Sequence, residues 1–191
     1  MEFAIAYIGL RSYAYTLKLK EPSRLVNFVC GVAFSYMLMY GEYEKTILYS
    51  GIYFYLDILI SWAFNTPLKQ DMIFHHILAV LLCGYSMSMR TFEGHAYTGL
   101  TRALIHMEFT NPFLHTILLL RNEYPNFWKE NTAIQFLLKI ALGIVWVKYR
   151  LFSLFMAILN TNVHSSAYVF YIFAYLLLLL QLHWFVKMLL A

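Results

Sequence analysis

An aspartate followed four and five residues later by a pair of histidines, Asp71, His75 and His76, is the group in this sequence best suited to moving protons. If the segment is helical, Asp71 and His75 share a face, so the carboxylate is placed to orient the imidazole and raise its basicity. His76 is turned about 100° away, so one ring can point into a bundle while the other packs against a neighbouring helix. Adjacent histidines do not chelate one metal from the same helix, where a spacing of four is the useful one, and no metal site is expected. A second polar group holds Glu108, Asn111 and His115 at i, i+3 and i+7, with Arg102 and His106 as a separate i, i+4 pair. Pro112 removes a backbone hydrogen bond between them, which predicts a kink and a freed carbonyl beside Glu108. Ser50, Tyr53, Asp57 and Ser61 fall on one face of another helical stretch. Arg150, eleven residues after Lys139 and on the same face, is the candidate ion-pair partner of Glu108 or Asp57. Lys148 lies on the other side, placed to snorkel. His75, His76, Asp71 and Glu108 are thus the catalytic candidates, and Asp57, Asn111, His115 and Arg150 the candidate substrate contacts. The competing reading is a hydrogen-bonded seam that only holds helices together.

The elements that must position these groups are apolar. Of 191 residues, 61% are hydrophobic, 19% aromatic and 13% charged, whereas a soluble domain carries about 25% charge. A membrane helix needs about 20 mostly apolar residues. Six blocks approach that length: Leu25–Tyr43, Thr46–Phe64, Met72–Met89, Tyr97–Leu120, Thr132–Leu159 and Ala167–Leu190. Gly41-Glu42, Asn65-Thr66-Pro67, Arg90 to His95, Arg121 to Asn131 and Asn160 to Ser166 punctuate them. The blocks are too long, and apolar on too many faces, for barrel strands. The fold expected is all-α, a polytopic transmembrane bundle of about six spans over residues 25–191. Residues 1–24 are expected as an N-terminal interfacial helix or partial span, because aromatic residues there run into Lys18, Lys20 and Arg24. No cleaved leader is expected. Lys and Arg outside the spans, Arg11 among them, concentrate on one side and predict cytoplasmic N- and C-termini. The net charge of +4 comes with no basic cluster interleaved with aromatics, so nucleic acid is not an expected partner. Cys30 and Cys83 sit in apolar blocks as small hydrophobes, not as a disulfide framework.

Three segments carry a family resemblance. Lys69-Gln70-Asp71-Met72-Ile73-Phe74-His75-His76-Ile77-Leu78-Ala79-Val80-Leu81-Leu82 resembles the double-histidine segment of TLC-domain proteins. These include ceramide synthases, the translocating-chain-associated membrane protein and smaller TLC-domain-containing lipid regulators. Glu108-Phe109-Thr110-Asn111-Pro112-Phe113-Leu114 is similar to that family's Glu, Ser/Thr, Pro, Phe pattern, and Arg150 to the Arg of its later span. The chain departs from ceramide synthases: Ala79 stands where they extend the double histidine with Thr, Met87 follows Ser86, and Thr110 and Asn111 stand where acids would be sought. It looks more like the smaller members. The resemblance implies a multi-pass protein of the endoplasmic reticulum or another endomembrane that binds or acts on membrane lipids or acyl chains. In one form it is an acyltransferase using His75 or His76, with acyl-CoA as co-substrate and no other cofactor. In the other it is a non-catalytic protein of lipid sensing, homeostasis or trafficking. A proton-coupled transporter ranks below both, since internal repeats and paired broken helices are missing. A homo-oligomer is compatible with either lipid reading.

Overall fold

The structure, a computed structural model, describes residues 2–63, 68–93, 98–160 and 168–189. The Asn65-Thr66-Pro67 break, residues 94 and 95 of the next and 161–166 of the last lie outside them, whereas residues 90–93, expected as part of a break, continue a helix. The described residues are almost wholly helical: α1 (Glu2–Thr16), α2 (Pro22–Met39), α3 (Tyr43–Ala63), α4 (Gln70–Glu93), α5 (Thr98–His106), α6 (Asn111–Glu123), α7 (Pro125–Glu130), α8 (Thr132–Val145), α9 (Ser153–Asn160) and α10 (Tyr168–Leu189). A 3₁₀ turn, Met107–Thr110, joins α5 to α6, and a π-helical segment, Trp146–Phe152, joins α8 to α9.

Among the described residues four stretches are long and apolar enough to cross a membrane: Tyr43–Ala63, Gln70–Ser88, Thr132–Asn160 and Tyr168–Met188. The other two expected blocks fold as α2, whose first turns hold Arg24 and Asn27, and as the run α5–3₁₀–α6, which the turn at Met107–Thr110 divides. Apolar side chains left on the outside, among them Phe136, Leu137 and Ile144 of α8 and Val169, Ile172 and Leu179 of α10, make a surface suited to hydrocarbon and not to water.

Local chemistry accounts for the joints. The expected turn at Gly41-Glu42 is a Schellman cap: the N–H of Gly41 donates to Leu38 O (3.1 Å) and that of Glu42 to Met37 O (3.0 Å). Gly41 takes a φ of 75°, open to it for lack of a Cβ. The polar stretch from Arg121 to Asn131 is partly helical, because Pro125 opens α7 at a position where its missing N–H costs nothing.

α3 packs along α4, α2 along α6, and α10 against α4 and α9. A Cβ added to Gly31 of α2 would stand 2.9 Å from Asn111 Cβ, so that glycine lets α2 close onto the junction where the site's polar residues sit. α1 packs one face against α2 and α3. Tyr7, Arg11 and Ala14 are buried on that face, and Ile5, Ile8, Tyr13 and Tyr15 remain exposed on the other. Two backbone N–H groups of the α1–α2 connection, Lys20 and Glu21, donate to the Glu123 carboxylate at the end of α6 (3.0 and 2.9 Å).

Candidate functional site

Residues 75, 79, 82, 83 and 86 recur at helical spacing, so one stripe of α4 carries His75, Ala79, Leu82, Cys83 and Ser86. This stripe walls a cavity of about 520 Å³, a figure that includes the open space at its mouth. α3 contributes Ser50 and Phe54, α5 and the 3₁₀ turn Leu104, Ile105 and Glu108, the π-helical segment Arg150, and α10 Leu177. The wall is mostly hydrocarbon, with His75, Glu108, Arg150 and the Cys83 thiol as its ionisable groups.

The two histidines have different surroundings. His76, 1% exposed, donates from Nδ1 to Met72 O (2.7 Å), and its Nε2 lies 3.4 Å from Asp57 Oδ2. A carbonyl only accepts, so the first bond fixes a proton on Nδ1, and Nε2 meets the carboxylate favourably when it too is protonated. His75, 8% exposed, lines the cavity and has no hydrogen-bond partner at Nδ1. Aromatic rings hold it: Phe54 at 5.4 Å and Trp184 at 5.0 Å between centroids, both edge-on.

Asp57, 2% exposed, is the centre of one buried network. Its Oδ1 accepts from Arg11 Nη1 (2.7 Å) and Tyr7 Oη (2.9 Å), both from α1, while Oδ2 faces His76. Arg150 is the centre of another. It donates from Nε to Thr110 Oγ1, from Nη1 to Gln181 Oε1 (2.8 Å) and from Nη2 to Asn111 Oδ1 (2.6 Å), and its guanidinium lies over the Trp146 ring at 4.5 Å. Asn111 passes the connection on, donating from Nδ2 to Glu108 Oε2 (2.5 Å). Glu108 and Arg150 are therefore linked through an amide instead of by direct ion pairing. The π-helical turn, a form frequent at functional sites, and the 3₁₀ turn opposite present these groups to each other.

A family model described as the TLC domain matches residues 3–190. The chain belongs to the TLC-domain family. No curated protein matches it, and no solved structure does. The match covers α1 as well as the later helices, and with the four helices of membrane-spanning length and apolarity among the described residues it makes the chain an integral membrane protein with a lipid-associated domain.

Within the TLC domain the expected site residues divide. His75, Glu108 and Arg150 meet at the cavity, and Asn111 joins the last two. His76 and Asp57 form a pair beside it. Asp71 stands apart from the role expected of it: Oδ2 accepts from Trp184 Nε1 (3.0 Å) and lies 3.6 Å from Lys187 Nζ, so it holds the indole that packs on His75 instead of holding His75 itself. His115 is buried on α6, with an unpartnered Nδ1, and does not line the cavity. The carbonyl that Pro112 leaves without its usual donor, that of Glu108, is taken by the N–H of Asn111 in the 3₁₀ turn. Among the described residues no cluster of three or more His, Cys, Asp or Glu could hold a metal. Spacing does not single out Tyr7, Arg11, Thr110, Gln181 or Trp184; for α1 the available signal is a Tyr and an Arg four apart in an aromatic stretch.

Proposed function

We propose that this TLC-domain protein takes the acyl part of a membrane lipid into the cavity and transfers an acyl group there, with His75 as nucleophile or base and acyl-CoA as co-substrate. The endoplasmic reticulum or another endomembrane, with cytoplasmic termini, is the setting this reading implies. One observation carries it: a buried imidazole with an uncommitted Nδ1 on the wall of an apolar cavity. A neutral imidazole lone pair attacks a thioester carbonyl, the C–S bond breaks and the thiolate leaves. The acyl group then passes to an amine or hydroxyl, whose proton goes to the imidazole. His76, bonded to Met72 and facing Asp57, is assigned to positioning.

The test is CoA release from palmitoyl-CoA by the protein in lipid nanodiscs. His75→Gln is expected to lower it about 100-fold or more, the usual worth of a positioned acid–base group, and to leave the protein folded. His76→Gln is expected to lower thermal stability first. Equal CoA release from parent and His75→Gln, or none from the parent, would rule out the catalytic reading. The alternative is then a non-catalytic lipid binder, which the closed networks around Asp57 and Arg150 favour because their polar atoms are spent on holding helices.

A further inference from the structure

Hydroxyls in apolar helices usually satisfy themselves locally. Thr46 donates to Glu42 O (2.8 Å), Thr110 to Met107 O (2.7 Å) and Thr116 to Pro112 O (2.7 Å). On the cavity wall Thr101 donates to Ser86 Oγ (3.4 Å). Ser50 on the same wall is 4% exposed and its Oγ has no hydrogen-bond partner. A buried hydroxyl without a partner is costly in a protein interior, and one that faces a cavity is satisfied when the cavity is filled by an acceptor.

Its position relates it to His75. Ser50 precedes Phe54 by one turn of α3, about 6 Å along the helix axis, and the Phe54 ring packs against that of His75. Two buried side chains with uncommitted polar atoms, one on α3 and one on α4, thus line one cavity among Ala79, Leu82 and Ile105. We infer that Ser50 is a second anchor for the ligand, its hydroxyl donating to the carbonyl oxygen of a neutral acyl group, so that the cavity selects an ester, thioester or amide over an ether or plain hydrocarbon. A carbonyl oxygen only accepts and so matches the O–H of Ser50. A free carboxylate fits less well: Arg150, the cation on the wall, already gives Nε, Nη1 and Nη2 to Thr110, Gln181 and Asn111. The inference rests on the cavity being the lipid site, as proposed above.

A matched pair of photoactivatable probes separates the two claims: a long-chain fatty methyl ester and the methyl ether of the same chain, cross-linked to the full protein in nanodiscs. The parent is expected to label about 3- to 10-fold better with the ester, the worth of one net hydrogen bond. Ser50→Ala is expected to label equally with both, and Ser50→Thr, which keeps the hydroxyl, to retain the preference. If the parent labels with both probes alike, or if Ser50→Ala keeps the parent's preference, the anchor is refuted while the lipid site stands. If neither probe labels the parent in the cavity, the lipid site and the anchor fall together.

Discussion

Arg11→Leu is expected to destabilise the protein by about 3 to 5 kcal/mol, the usual cost of leaving one member of a buried ion pair behind. Asp57 keeps only the Tyr7 hydroxyl on Oδ1 once Arg11 is gone, and on Oδ2 it faces only the His76 ring, charged only when both its nitrogens are protonated. Because Arg11 and Asp57 are 4% and 2% exposed, solvent does not screen the loss. The double variant Arg11→Leu, Asp57→Leu removes both charges and should recover a large part of it. Unfolding in detergent read by a double-mutant cycle measures the coupling directly. Additive effects would mean that α1 is not held by this pair.

The second large effect is expected at Arg150. Arg150→Leu withdraws donors from Thr110, Asn111 and Gln181 together and leaves Glu108 without the cation that Asn111 connects to it, again a loss of about 3 to 5 kcal/mol. Arg150→Lys should rescue little. An ammonium is a point charge and cannot reach three acceptors held around a planar fork, nor stack on Trp146 in the same way. Arg150→Leu combined with Glu108→Gln should regain part of the loss, as measured by thermal unfolding of the four proteins. Full rescue by lysine would show that charge alone matters at this position and that the hydrogen-bond geometry does not.

Both expectations depend on partners that the linear pattern conveys unevenly. That Asp57, Glu108 and Arg150 turn inward is legible from the cost of a charge in lipid. The helical blocks are legible from their length and apolarity, and the break before α6 from Pro112. The partner of Asp57 is not, because Arg11 lies 46 residues earlier, in a stretch where it reads as one more basic residue beside the membrane. Helical spacing reports only neighbours on the same helix. It therefore pairs Asp71 with His75, whereas the bundle brings Trp184 to Asp71 from 113 residues away. Gln181 is hidden for the same reason, an ordinary helix residue until Arg150 reaches it, and Thr110 is marked by the resemblance of its segment but not as a partner of Arg150. The π-helical turn around Arg150 has no proline to announce it. The divergence of adjacent side chains, by contrast, is a property of one helix. It is enough to separate His75, on the cavity, from His76, inside the protein.

The claim on which the rest depends is that the cavity between α3, α4, α5 and α10 holds the acyl part of a lipid. Native mass spectrometry of the purified protein, with the lipids that accompany it identified, addresses that claim most directly when the parent is compared with Ala79→Phe. Ala79 lines the cavity and is 7% exposed, so a benzyl group there fills space that a chain would occupy. The parent is expected to carry an acyl lipid that Ala79→Phe, folded by its thermal transition, has lost. A parent without bound lipid, or a folded Ala79→Phe that carries the same lipid in the same amount, would contradict the account.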